Sequence, residues 1–135
     1  MTNKRDGRVG AAPMIGAGTY ADVGCAVSGT GWGEFYIRAV AAHAICARMA
    51  YLNETPQQAS QTVINQVIPT MGGDGGAIVL GADGAIAMPF NTEGMYRGWI
   101  GADGVAHVAL YSDDTLPSIP EPSEKAAAAG SAGKH

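Results

Sequence analysis

The same four residues, Gly-Ala-Asp-Gly, occur twice in this sequence, each time between two short apolar segments. The first copy, residues 81–84, separates residues 77–80 from residues 85–90, and the second copy is residues 101–104. Asp-Gly between two apolar segments is typical of a β-hairpin turn, because glycine adopts positive φ angles at low cost. The sequence therefore predicts two hairpins that form an antiparallel sheet. Several of these strands are apolar on both faces, so we expect both faces of the sheet to be covered.

Two helices are predicted upstream of the hairpins. Residues 34–52 contain neither glycine nor proline and are apolar almost all round, which predicts one helix packed on more than one side. Thr55, Pro56 and Gln58 form the capping box of a second helix, which we predict to end at Pro69.

Short strands are predicted over residues 13–20 and 25–28, the second ending in a glycine-rich turn over residues 29–33. The order of strand, two helices and antiparallel strands predicts an α+β fold, with two helices packed on an antiparallel sheet.

The composition changes after Ser112, where prolines and a run of alanines follow no period. We therefore predict a domain over residues 1–111 and a flexible tail over residues 112–135.

Charge, hydropathy and cysteine content exclude several classes of protein. The net charge of -4 argues against a nucleic-acid partner, and no apolar run is long enough for a membrane partner. Cys25 and Cys46 lie in apolar segments, so we predict buried free thiols in a reducing cytoplasm rather than a disulfide. The histidines have no metal-ligand spacing, and we expect neither a metal site nor a cofactor.

Residues 28–34 join a predicted strand to a predicted helix and are rich in glycine. Their backbone N–H groups could bind an anion or a developing oxyanion, to which Thr30 would add a hydroxyl donor. An ordinary tight turn explains the same residues. Arg5 and Arg8 could likewise bind a carboxylate or belong to a solvated basic loop. Residues 91–95 could place polar groups at a sheet end, or they could form a capped turn. For all three segments, the residue types do not decide between a binding role and a structural role.

Several segments occur together and in one order: Met1-Thr2-Asn3-Lys4, Gly7-Arg8-Val9-Gly10, Ile15-Gly16-Ala17-Gly18-Thr19-Tyr20, Gly29-Thr30-Gly31, Gly33-Glu34 and Pro89-Phe90-Asn91-Thr92-Glu93-Gly94-Met95-Tyr96-Arg97. In combination they resemble the β-subunit of isoaspartyl peptidases, also called plant-type L-asparaginases. The resemblance extends from Met1 to about Tyr111. It implies the four-layer αββα sandwich of the N-terminal nucleophile hydrolases.

The resemblance also implies an activity and a subunit organisation. Members of the family cleave their own precursor, which frees a threonine at the start of the β-subunit. This threonine hydrolyses the side-chain amide of L-asparagine or the β-aspartyl bond of a dipeptide. Both are small-molecule substrates, and the reaction is expected to need no cofactor. The threonine's own α-amino group, with an ordinary pKa of about 8, is the base. The partners are an α-subunit and a second αβ unit, which together give a dimer of αβ units.

Site residues follow from the matched motifs. The resemblance implies that Arg8 binds the substrate α-carboxylate, and that Thr30 and the N–H group of Gly31 form the oxyanion hole. It further implies that Gly31 and Gly33 present backbone groups to the substrate's amino end. Ala11 stands where the family has an aspartate that accepts from the substrate ammonium, so the affinity or the choice of substrate is expected to differ.

The nucleophilic threonine of the family corresponds to a position upstream of Met1. Thr2 is not expected to replace it, because Met1-Thr2-Asn3-Lys4 matches an internal stretch of the family. We therefore expect an amidohydrolase fragment that supplies substrate binding and an oxyanion hole, lacks the nucleophile and is inactive by itself. The alternative is a non-catalytic fragment that binds aspartate-like ligands or associates with a full-length partner.

Overall fold

The computed structural model describes residues 5–101 and 104–113, and the chain divides after Met95 into two compact units. The first unit contains strands β1 (Thr19–Ala21), β2 (Cys25–Gly31), β3 (Gly75–Gly81) and β4 (Ile86–Ala87), and helices α1 (Gly33–Ala39), α2 (Ala41–Leu52), α3 (Pro56–Thr62) and α4 (Ile68–Thr70). The second unit contains β5 (Arg97–Ile100) and β6 (Ala106–Ala109). None of the helices in this described part of the chain has the length and apolar content needed to cross a bilayer. The tail prediction for residues 114–135 lies outside the described residues.

The first unit is a four-stranded antiparallel sheet in the order β1-β2-β3-β4, with helices packed against it. Val27 pairs with Val79, and Val79 with Ala87, so these three buried side chains share the inner face. They belong to one core cluster with side chains from all four helices, including Tyr36, Ile45, Ala59 and Ile68, and with Ile64 from the segment between α3 and α4. The predicted α+β arrangement of helices on an antiparallel sheet is confirmed.

Both predicted hairpins are present, but they do not form one sheet. At the first turn Gly84 has a φ of +84° and Gly81 donates to the carbonyl of Ala85 at 2.8 Å. At the second turn Gly104 has a φ of +71°, and its N–H group donates to the carbonyl of Gly101 at 3.0 Å. Strands β5 and β6 pair only with each other within the described residues, so the prediction of a single sheet is wrong.

The physical reason lies in the segment that follows β4. Phe90 still pairs with Gly76, and Asn91 donates to the carbonyl of Gly75, the first residue of β3. This segment has therefore followed β3 to its beginning. A further strand of this sheet would have to pair with the outer edge of β4, and β4 has only two residues.

The prediction of one helix over residues 34–52 is also wrong. Val40 has a left-handed backbone, with φ 48° and ψ 48°, and separates α1 from α2. The first N–H groups of α2 find partners in a loop: Ala42 donates to Ala17 at 3.0 Å, and His43 donates to Gly16 at 2.9 Å. Because these contacts come from a distant loop, no pattern within residues 34–52 indicates the break.

The capping box of the second helix is confirmed. The side chain of Thr55 accepts from the N–H group of Gln58, and the side chain of Gln58 accepts from the N–H group of Thr55. The helix continues through a π-helical turn, Val63–Val67, in which Ile68 donates to the carbonyl of Val63. It ends at Thr70, one residue beyond the predicted Pro69, because the altered hydrogen-bond pattern accommodates a residue that has no N–H group.

Cys25 and Cys46 form a disulfide, so the prediction of free thiols is wrong. Cys25 begins β2 with its side chain on the inner face, and α2 packs across that face, which brings the two Cα atoms to 5.6 Å. The predicted burial of the two side chains is confirmed, since Cys25 is 5% exposed and Cys46 is 2% exposed. The predicted cytoplasmic location was based on free thiols, and disulfides persist chiefly in oxidising compartments. The disulfide therefore does not support that location, which stays a prediction.

Candidate active site

The glycine-rich segment after Ser28 is mainly strand rather than turn. Thr30 pairs with Gly76 and Gly31 pairs with Gly75, so β2 continues to Gly31 and the turn predicted to begin at Gly29 is wrong. Only Trp32 separates β2 from α1, and its N–H group donates to the carbonyl of Asp74 at 3.2 Å.

Gly31 and Gly75 lie back to back across this strand pair, each with a φ of +142°. A Cβ atom on Gly31 would lie 2.3 Å from the carbonyl oxygen of Asp74, and one on Gly75 would lie 2.2 Å from that of Thr30. Both positions therefore require glycine for two reasons, backbone conformation and contact distance. The geometry holds the peptide groups after Thr30 in one arrangement.

Two side chains fix the end of the sheet beside Gly31. Tyr36 of α1 is 1% exposed, and its hydroxyl donates to the carbonyl of Gly76 at 3.1 Å. Burial, together with the charge of Asp74, raises the pKa of Tyr36, so the hydroxyl stays a neutral donor. Asn91 accepts from the N–H group of Gly75 at 2.7 Å and donates to the carbonyl of Ile64 at 2.8 Å. Asn91 thus links the π-helical turn to the beginning of β3.

Arg8, Trp32, Gly33 and Glu34 line an open cleft of about 370 Å³. The structure thus brings together two of the predicted binding residues, Arg8 and Gly33. Thr30 and Gly31, the predicted oxyanion hole, do not line this cleft but directly precede Trp32 at the end of β2. A guanidinium at such a cleft can bind a carboxylate through two parallel hydrogen bonds.

Ala11 lies directly behind Gly33. A Cβ atom on Gly33 would lie 2.9 Å from the backbone nitrogen of Ala11 and 3.5 Å from its Cβ. On another side, a Cβ atom on Gly18 would lie 2.2 Å from the carbonyl oxygen of Ala11. Residue 11 is therefore held between two glycines and lies next to the cleft.

Two residues that line the cleft were missed by the sequence reasoning. Trp32 is 57% exposed and stacks on the ring of Phe35, with ring centroids 6.0 Å apart. Glu34 entered the sequence analysis only as part of the matched Gly33-Glu34 motif, with no role for its side chain. The available signal was a tryptophan between two glycines, because glycine has no side chain that could cover the large ring of its neighbour.

A second cleft of about 420 Å³ lies at the other end of β2, around the disulfide, and none of the predicted site residues lines it. Its three carboxylates have protein partners. Asp22 accepts from the N–H groups of Gly24 and Cys25, Glu54 pairs with Arg48, and Asp83 accepts from the N–H group of Ala85. These contacts stabilise turns and a helix end, so the smaller cleft is the better candidate site.

The chain is similar in sequence to known proteins. A family model described as "Asparaginase" matches residues 1–110. The chain is 46% identical over 114 residues to the isoaspartyl peptidase of Escherichia coli (strain K12), covering 84% of this chain and 36% of that protein. It is 44% identical over 114 residues to the isoaspartyl peptidase of Salmonella typhimurium, again covering 84% of this chain and 36% of that protein.

A more distant relative is the isoaspartyl peptidase/L-asparaginase of Xenopus laevis, which is 36% identical over 114 residues, covering 82% of this chain and 36% of that protein. The chain therefore spans about a third of the length of the curated relatives it matches.

Proposed function

Because the chain belongs to the asparaginase family of hydrolases, we propose that it serves the hydrolysis of the side-chain amide of L-asparagine or of β-aspartyl peptide bonds. The observation that carries this proposal is the cleft shared by Arg8 and Gly33, directly beside the end of β2. Arg8 binds the α-carboxylate of the aspartyl group, and Gly33 presents its backbone to the amino end. Thr30 and the N–H group of Gly31 stabilise the tetrahedral oxyanion.

The proposal places the nucleophile outside these 135 residues. The relatives are about three times as long as the matched segment, since that segment covers 36% of the Escherichia coli protein. In this proposal a threonine from the remaining polypeptide attacks the amide carbonyl, with its own α-amino group as base. The C–N bond breaks, ammonia or the amino group of the second residue leaves, and a covalent acyl intermediate forms on the threonine, from which water releases aspartate. The same polypeptide corresponds to an α-subunit and to further β-subunit strands, within a dimer of αβ units.

The four-layer αββα sandwich is part of the same proposal, and the outer face of the sheet supports it. Helices cover the inner face, whereas Ile78, Leu80 and Ile86 on the outer face are 49%, 47% and 42% exposed. Large apolar side chains on one sheet face favour a second packed layer. In the proposed arrangement a second sheet covers these side chains.

The proposed role of Arg8 can be tested by measuring the binding of L-aspartate, the reaction product, by isothermal titration calorimetry. We expect Arg8→Gln to weaken binding by roughly 10- to 100-fold, since a hydrogen-bonded charge contributes about 1.5–3 kcal/mol. Arg5→Gln, in the same basic loop, is the matched control and is expected to change the affinity less than threefold. Equal affinities for the parent and Arg8→Gln would remove the proposed function from this cleft.

A further inference from the structure

The cleft that contains Arg8 carries two opposite charges. Arg8 contributes a guanidinium and Glu34 contributes a carboxylate, and both side chains are exposed to solvent. A ligand with only a negative charge could pair with Arg8 but would meet repulsion from Glu34. The cleft therefore suits a ligand that has a carboxylate and an ammonium group on the same carbon atom, which is the pattern of an α-amino acid.

Glu34 is available to bind such a ligand. Across residues 5–101 and 104–113, its carboxylate makes no hydrogen bond or ion pair with another side chain. Its backbone is held in place, because the next two residues, Phe35 and Tyr36, are 7% and 1% exposed. The backbone that carries the carboxylate is thus anchored, while the carboxylate oxygen atoms are accessible to a ligand.

The neighbouring position 11 supplies no competing charge. Ala11 lies against Gly33 and presents a methyl group there, 3.5 Å from where a Cβ atom on Gly33 would lie. Asp74 contacts this region through its backbone carbonyl, which accepts from Trp32, and its side chain does not line the cleft. Among the described residues that line the cleft, Glu34 is the acidic one.

We propose that Glu34 binds the α-ammonium group of the aspartyl substrate, and so makes the site selective for α-amino acids over simple dicarboxylates. This inference rests on the proposed function and assigns a specificity-determining residue to the same site. Arg8 and Glu34 then hold the two charged groups on one carbon atom of the ligand. The rest of the aspartyl group points away from that carbon, which fixes the direction of its β-carbonyl.

The test compares L-aspartate with succinate, which has the same two carboxylates but no ammonium group. Trp32 lines the cleft, and Trp99, the other tryptophan, lies in the second unit, so a Trp99→Phe background leaves Trp32 as the fluorescent reporter. We expect the parent in this background to bind L-aspartate about tenfold or more tightly than succinate. Glu34→Gln should weaken L-aspartate binding by at least that factor and leave succinate binding unchanged or stronger.

Two further variants make the result specific. Glu93→Gln is the matched control, because it also removes one carboxylate but lies on an exposed loop. It should keep the preference for L-aspartate over succinate. Because residue 11 adjoins Gly33, the double variant Ala11→Asp with Glu34→Gln should regain part of the preference for L-aspartate. Circular dichroism checks that each variant is folded.

The outcomes separate this inference from the proposed function. If Glu34→Gln keeps the preference while Arg8→Gln weakens both ligands, the role of Glu34 is overturned and the proposed function stands. If neither ligand binds the folded parent, or Arg8→Gln has no effect, the proposed function fails and this inference fails with it. Loss of the preference in Glu34→Gln alone, with Glu93→Gln unchanged, supports both.

Discussion

At the scale of single residues, glycines at the end of β2 are required for different physical reasons. Gly31 and Gly75 need a positive φ angle and also tolerate no Cβ atom, because each faces the backbone of the other strand. Gly33 has an ordinary φ angle but faces the backbone of Ala11 at 2.9 Å. Residue identity alone does not distinguish these cases, since composition shows only that glycine is abundant.

Substitution at Gly31 should therefore cost much more stability than substitution at a glycine in open space. We expect Gly31→Ala to lower the free energy of unfolding by about 2–3 kcal/mol, from backbone strain and the approach to Asp74. The measurement is a urea unfolding curve for each variant. Gly10→Ala is the control, because nothing lies within 4 Å of a Cβ atom at Gly10, and its midpoint should match the parent. Equal stability of Gly31→Ala and Gly10→Ala would contradict the close packing of β2 on β3.

At the scale of elements, β2 connects two different parts of the first unit. Its first residue, Cys25, is linked to α2 by the disulfide, and its last residue, Gly31, adjoins the candidate site. Helix α1 is tied to β3 by the hydroxyl of Tyr36, so strand and helix around the site are both anchored to buried structure. Glu34 and Trp32 therefore project from a rigid support, which suits binding residues.

The disulfide is expected to stabilise the first unit. Cys25 and Cys46 are separated by 21 positions, and closing a loop of that length contributes about 3 kcal/mol in the chain-entropy description. We expect reduction with dithiothreitol to shift the urea midpoint of the parent downward. A Cys25→Ala, Cys46→Ala double variant should start at the lower midpoint and show no response to the reductant. A parent whose midpoint is insensitive to reduction would contradict a stabilising disulfide.

At the scale of the whole molecule, the sheet of the first unit has one covered and one uncovered face. The helices bury Val27, Val79 and Ala87, whereas Ile78, Leu80 and Ile86 remain about half exposed. Burying apolar area of this kind stabilises by roughly 25 cal/mol per Å², so the outer face favours association with another surface. The second sheet of the proposed four-layer sandwich would provide that surface.

This face predicts self-association of the 135-residue chain. We expect sedimentation velocity to show oligomers that grow with concentration, and Leu80→Lys to shift the distribution several-fold towards the monomer. Val23→Lys is the control, because Val23 is fully exposed at 102% and lies outside the strands, so its replacement should leave association unchanged. Oligomers that persist equally in Leu80→Lys would show that another surface is responsible.

Local patterns accounted for the features whose physics is local. Both Asp-Gly turns, the capping box at Thr55 and the α+β order of elements were predicted, because each depends on residues a few positions apart. The asparaginase family was also predicted from motifs in the sequence. The roles of Arg8 and Gly33 and the departure of Ala11 from the family pattern come from the same motifs and stay predictions.

Contacts between distant segments settled the remaining features. The break at Val40 depends on carbonyl groups of Gly16 and Ala17, and the disulfide depends on α2 crossing the beginning of β2. Strands β5 and β6 pair only with each other within the described residues, and the edge strand β4 offers only two residues to a further strand. A sequence pattern records the preference of each segment for a conformation, whereas these features follow from which segments meet in space.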